Sequence, residues 1–151
     1  MKIKRWLILA GILLLGAGGG LFVSFGPPQL MARTETPEFC ASCHVMQSQY
    51  DAWFQLGAHR GVKCVDCHLP HQNLAVHYVW KSIDGLKDTV VFYSGRTPEF
   101  IRLSKRQEGV VQTNCIRCHE ARVSQIDTER HCWSCHRWLQ HGQAGTRLTH
   151  W

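Results

Sequence analysis

No cysteine in this chain is spare. All eight fall inside four copies of one pentapeptide: Cys40-Ala41-Ser42-Cys43-His44, Cys64-Val65-Asp66-Cys67-His68, Cys115-Ile116-Arg117-Cys118-His119 and Cys132-Trp133-Ser134-Cys135-His136. That leaves none for a disulfide, a catalytic thiol or a separate metal site. Charge is also missing over one long stretch. After Met1-Lys2-Ile3-Lys4-Arg5, the chain runs from Trp6 to Phe25 without an ionisable side chain. The third shortage is chain itself. Roughly 126 residues follow that stretch, about 31 for each pentapeptide, too few to bury a sizeable apolar core.

The pentapeptide supplies what the core lacks. C-x-x-C-H is the attachment sequence for c-type haem: two thiols bond the porphyrin edge and the adjacent His reaches the iron from one face. Four copies that use every cysteine imply four covalent haem c groups, with the macrocycles forming the interior and short helices and loops wrapped around them. The main rival is a pair of zinc ribbons, because C-x-x-C pairs at such separations also suit zinc. Zinc ribbons, however, do not require a His directly after every second Cys, and here it follows all four times. Without haem, a domain this small is expected to be unfolded, as metal-dependent mini-domains are.

About twenty uncharged residues in a helix are long enough to span a bilayer. Gly26-Pro27-Pro28-Gln29-Leu30-Met31-Ala32-Arg33 offers no clean small-x-small cleavage site, so the reading is an uncleaved anchor rather than a signal peptide. The basic head should remain cytoplasmic. Residues 1–25 are then a head and inner-membrane anchor, and residues 26–151 a periplasmic tetrahaem domain. Gly16 and Gly20 have the small-xxx-small spacing that allows a homodimer through the membrane helix; glycines are also simply tolerated in such helices.

The formal charge of +6, from 17 cations against 11 carboxylates, is not a nucleic-acid signal. Four haems carry eight propionates, about −8 if ionised near ordinary carboxyl values, so the loaded protein falls near −2. Much of the arginine is better assigned to propionates than to a partner.

Helix signals are local and few. Thr36 as N-cap with Pro37 in the first turn marks a helix start, and the same string Thr-Pro-Glu-Phe recurs at Thr97–Phe100. Between the two pairs of motifs, Asn73 to Ser94 reads as a helix closed by Gly95. Val76, Val79/Trp80, Ile83, Leu86 and Val90 form an apolar stripe along it. His77, Lys81, Asp84 and Asp88 share another strip, which by helical physics alone is a solvated face with Lys–Asp pairs. For the irons, four motif histidines leave His59, His71, His77, His131, His141 and His150 as candidates for the remaining axial positions. His59 and His141 are the best placed, each five residues from a motif. Met46, two residues beyond His44, reads as core filler or as a thioether ligand.

In Glu38-Phe39-Cys40 leading into C-x-x-C-H-x-Met, in Cys67-His68-Leu69-Pro70-His71, and in one anchor behind a short basic head, the chain resembles the NapC/NirT family of membrane-anchored tetrahaem quinol dehydrogenases. The resemblance covers essentially the whole chain. Its short tail after the fourth motif is most similar to the nitrite-reductase branch. The resemblance implies a mainly α fold with Met46 on the first iron in place of His44. It implies His68, His119 and His136 as motif ligands, with His59 and His141 at the distal positions. One iron could take its sixth ligand from a partner. It implies a quinol site beside the first haem, made by a Lys and an Asp seven residues apart; Lys81 and Asp88 match that spacing and Asp84 does not. The implied substrate is menaquinol from the membrane pool. The implied partner is a multihaem nitrite reductase catalytic subunit, which reduces nitrite to ammonium with electrons this chain supplies. Other readings remain open: service to a nitrate or N-oxide reductase, a passive tetrahaem shuttle, or a haem enzyme acting alone on a small oxyanion.

Mass spectrometry of the purified chain should find the polypeptide plus four macrocycles, and one fewer when both cysteines of a motif are replaced by Ser. The bare polypeptide, or bound zinc, would overturn the haem reading.

Overall fold

Twenty-four residues at the start of the chain form one helix because nothing within them interrupts it: helix α1 covers Lys2–Phe25. The computed structural model describes residues 2–26, 29–55, 58–136 and 139. The apolar part of α1, Ile3–Phe25, has a mean hydropathy of 2.2 and is nowhere buried against protein, which fits a membrane anchor. Space around Gly16 and Gly20 is open.

A short helix α2 (Leu30–Arg33) follows, entered through Gln29 in the left-handed region at φ 48°. Helix α3 (Pro37–Ala41) starts as its cap predicts, with Thr36 Oγ1 accepting from the Phe39 N–H at 3.2 Å and Pro37 in the first turn. A 3₁₀ turn over His44–Met46 leads into α4 (Gln47–Gln55). The second motif is itself a helix, α5 (Cys64–His68), with the Lys63 N–H donating to Asp66 at 3.1 Å. The predicted central helix is α6 (Leu74–Tyr93), capped by the Asn73 side chain and closed by Gly95 at φ 67°. Helix α7 (Lys105–Val123) carries the third motif. It is capped by Ser104 and Gln107 and loses helical geometry at His119. A 3₁₀ turn over Cys132–Ser134 holds the fourth motif. No strand occurs among the described residues.

The second Thr-Pro-Glu-Phe string behaves differently from the first. Residues 97–104 form bends and extended chain, and the next helix waits for Ser104. A one-turn helix does not sustain itself in water, so identical capping strings fold according to the residues C-terminal to them. Helix α7 had no comparable signal in the sequence, since its third motif interrupts any apolar period.

Side-chain amides, not an apolar interior, tie these elements together. The buried apolar side chains among the described residues are Ala52, Val65 and Leu69, and none of the large ones is fully enclosed. Asn114 of α7, 4 % exposed, donates from Nδ2 to the carbonyls of Cys67 (3.0 Å) and Leu69 (2.8 Å), fastening the third motif to the second. Gln112 donates to the carbonyls of Thr128 (2.9 Å) and Arg130 (3.1 Å) and accepts from the Cys132 N–H (3.0 Å), fastening the fourth motif to α7. Trp53 Nε1 donates to the carbonyls of His59 (3.0 Å) and Val62 (3.1 Å) and so shapes the loop that bears His59. Between α6 and α7, Arg106 grips Asp84 through both carboxylate oxygens (2.8 and 2.7 Å) and lies 3.8 Å over the Trp80 ring.

Polypeptide covers only part of the apolar stripe of α6: Val76 and Trp80 are half-buried. Val79, Ile83, Leu86 and Val90 are 47–67 % exposed, while the side chains of His77, Lys81 and Asp84 are covered. The solvated-face expectation holds only for Asp88, which is exposed. Each buried polar group has a partner, and that is what makes its burial tolerable.

Replacing Asn114 with Leu leaves two buried carbonyls without donors. The holo-protein should lose about 2–3 kcal/mol of stability, read as a lower guanidinium midpoint at unchanged slope. An unchanged midpoint would show that this amide does not join the motifs.

Candidate functional site

The four motifs meet through their thiols. The Cys64 sulfur lies against that of Cys40. Cys115 lies against Cys132, and Cys67 faces Cys118. The first motif therefore faces the second, the third faces the fourth, and the second meets the third across α5 and α7. No disulfide joins any of the eight cysteines. Among the described residues no three His, Cys, Asp or Glu converge on a metal-ion site. The donor set fits haem instead: paired thiols on one helical turn, an imidazole beside each pair, and a polypeptide with little apolar interior of its own.

The histidines divide into several environments. The rings of His59 and His119 stand 6.0 Å apart between centroids at 88°. Two imidazoles each holding one metal at about 2 Å place their centroids about 6 Å apart, so this pair fits an iron between them. His44 is exposed, with its ring 5.4 Å from Phe92, and Met46 is half-buried at the end of the same 3₁₀ turn. His68 is half-buried on α5, and His136 is exposed. His131 stacks on Trp133 at 4.4 Å and 10°. His71 points Nε2 at the Val65 carbonyl (3.3 Å), and its ring lies 5.1 Å from that of His77. The expectations for His141 and His150 lie outside the described residues.

The structure does not bring Lys81 and Asp88 together. Asp88 lies near Lys87 at 3.5 Å on the exposed side. Lys81 reaches back to the exit of the anchor, where Nζ donates to the Met31 carbonyl (2.6 Å) and to Glu35 Oε1 (3.0 Å). His77 completes the cluster, with Nδ1 3.1 Å from the Pro70 carbonyl and Nε2 3.5 Å from Glu35. The Glu35, Lys81 and His77 side chains are 14, 12 and 10 % exposed, so an ion pair and an imidazole are gathered in a largely covered place. Burial on its own would raise the Glu35 carboxyl; the Lys81 hydrogen bond and charge, joined by His77, outweigh it and hold Glu35 below the ordinary carboxylate value. Tyr78 is raised by burial and by the Glu35 charge; its ring lies 5.6 Å from Lys81 Nζ and meets Phe25 of the anchor edge-on at 5.1 Å. Sequence reasoning missed Glu35. It lies 46 residues from Lys81, and no spacing rule connects the two.

A family model described as the NapC/NirT cytochrome c family, N-terminal region, matches residues 2–147. The chain is 33 % identical to cytochrome c nitrite reductase subunit NrfH of Nitratidesulfovibrio vulgaris, with 89 % of this chain and 82 % of that protein covered. It is 29 % identical to cytochrome c-type protein NrfH of Wolinella succinogenes, over 95 % of this chain and 90 % of the other. Against cytochrome c-type protein NapC of Haemophilus influenzae the identity is 27 %, and only 60 % of that protein is covered. Among solved structures, a chain of the cytochrome c nitrite reductase NrfHA complex bound to the HQNO inhibitor superposes with a TM-score of 0.67. Its identity is 32 %, with 89 % of this chain and 90 % of that one covered.

The Glu35 cluster has a defined acid limit. Because the folded-state carboxyl lies below 4.5, its contribution is complete above that value and is lost as pH falls through the lower, folded-state one. Glu35→Gln should therefore be less stable than the parent near neutrality, with the difference closing below pH 4.5. A difference that stays constant through acid would contradict the pairing. Chaotrope unfolding at a series of pH values makes the comparison.

Proposed function

The chain belongs to the NapC/NirT cytochrome c family, and from that premise we propose that it is the membrane-anchored, electron-donating subunit of a cytochrome c nitrite reductase, oxidising menaquinol and passing the electrons to a multihaem catalytic subunit. One observation carries this reading: the chain matches 82–90 % of the length of two NrfH proteins and of the small chain in the NrfHA structure, at 29–33 % identity. NapC-type donors, of which it spans 60 %, suit the match less well. The anchor lies in the cytoplasmic membrane with the basic head inside, and residues 26–151 face the periplasm.

Covalent haem c supplies the one-electron redox chemistry. Each pair of motif cysteines holds one macrocycle, and His68, His119 and His136 each hold an iron. Met46 serves the first motif in place of His44 by family likeness. His59 is assigned opposite His119, supported by the 6.0 Å separation of their rings. His141 takes a distal position by family likeness. The catalytic pair for quinol is Lys81 and Asp88. Lys81 offers an ammonium to a quinol oxygen near the exit of the anchor, and Asp88 accepts a proton. Two protons and two electrons leave each quinol, so a base and a charge-holding donor are both needed. A homodimer through Gly16 and Gly20 fits the open space around them.

Lys81→Leu and Asp88→Leu should each slow menaquinol-driven haem reduction by at least tenfold, with four haems retained and dithionite reduction intact. If both rates match the parent, the chain is a passive shuttle. Co-purification of a multihaem nitrite reductase, rather than a nitrate or N-oxide reductase, tests the acceptor.

A further inference from the structure

Among the lysine and arginine ion pairs of the described residues, the one between Glu35 and Lys81 is the least exposed, and no motif accounts for it. Glu35 comes after α2, within ten residues of the end of the membrane helix, and its partner Lys81 is on the central helix of the haem domain. An ammonium has three N–H donors. In Lys81 one is taken by the Met31 carbonyl at 2.6 Å and one by Glu35 Oε1 at 3.0 Å. A single N–H remains for a third acceptor. The Lys81 ammonium is held from two sides, since the carbonyl belongs to α2 and the carboxylate to the segment after it.

We propose that Glu35 is the positioning residue of the quinol site: its carboxylate fixes Lys81 as a buried ammonium with one N–H left to donate to a quinol oxygen. This rests on the quinol reading and deepens it. A buried cation without a counter-charge is costly, and it escapes by giving up its proton or by withdrawing towards water. Either response removes the donor from the substrate. The Glu35 carboxylate prevents both, and His77 on the preceding turn of α6 holds it from the other side, Nε2 to Oε1 at 3.5 Å. The substrate class is set by the position. Lys81 is bonded to the Met31 carbonyl of α2, and Tyr78 beside it touches Phe25 at the end of α1 at 5.1 Å, so the class to test is an amphiphile whose ring bears an oxygen acceptor. Lys81 is fixed by Glu35, and Asp88 lies seven residues further along the same helix, near Lys87.

The test uses the full-length holo-protein in detergent, with menadiol as reductant and haem reduction measured against its concentration. Glu35→Gln keeps an oxygen that can accept from Lys81, so a purely structural staple between α2 and α6 would survive it. The expected result is a half-saturating menadiol concentration raised about tenfold, a limiting rate reduced less than threefold, and dithionite reduction and haem spectra like the parent's. Glu35→Asp keeps the charge with one methylene less reach and should fall between the two; if the Gln protein fails to take up four haems, the Asp protein decides. Half-saturation unchanged in the assembled Gln protein, or in the Asp protein when it decides, overturns the positioning role. Lys81→Leu, run alongside, separates the two claims. If Lys81→Leu loses menadiol response and the Glu35 variants do not, only the Glu35 assignment falls. If Lys81→Leu also responds like the parent, the quinol assignment falls with it.

Discussion

The constraint behind the whole structure is that this polypeptide cannot make an interior from its own side chains. Three small or medium apolar residues, Ala52, Val65 and Leu69, are its buried apolar set among the described residues. A domain of this size with so little apolar burial does not offset the conformational entropy of ordering the chain. Four pairs of thiols, each beside an imidazole, are the chemical answer, because they bring large flat apolar groups in by covalent bonds. The arrangement of thiols sets the order: first motif against second, third against fourth, joined in the middle by α5 and α7.

With so little apolar packing, the protein's own cohesion comes from hydrogen bonds with strict geometry. Asn114, Gln112 and Trp53 each bridge carbonyls from segments that carry motifs or candidate ligands. Such groups fix relative position more sharply than apolar contact does, because a misaligned donor in a covered site leaves a carbonyl unsatisfied. This suits a protein whose task depends on the spacing of cofactors. The same economy explains α6. Its polar strip is covered at Lys81 and Asp84 because both have partners there, Lys81 with Glu35 and Asp84 with Arg106.

The Glu35–Lys81–His77 cluster joins the membrane anchor to the haem domain by charge. Its three side chains come from the segment after α2 and from two successive turns of α6. A lysine held there by a carboxylate and a carbonyl is an oriented donor rather than a mobile surface charge, the property that separates a binding site from a basic patch.

The sequence by itself determined whatever is covalent or local. The four C-x-x-C-H motifs settle the cofactor chemistry because thioether attachment needs only residues within one pentapeptide. The run from Trp6 to Phe25 fixes one long apolar helix that fits a membrane anchor, because length and lack of charge are read along the chain. The caps at Thr36 and Asn73 and the stop at Gly95 set helix ends through bonds spanning four residues or fewer. Tertiary structure alone decided that Lys81 and Asp84 of α6 are covered, that the second Thr-Pro-Glu-Phe makes no helix, that His59 meets His119, and that Lys81 pairs with Glu35. Those outcomes join residues up to 60 positions apart, where one arrangement wins only by satisfying several distant polar groups at once, and no local period or spacing encodes that.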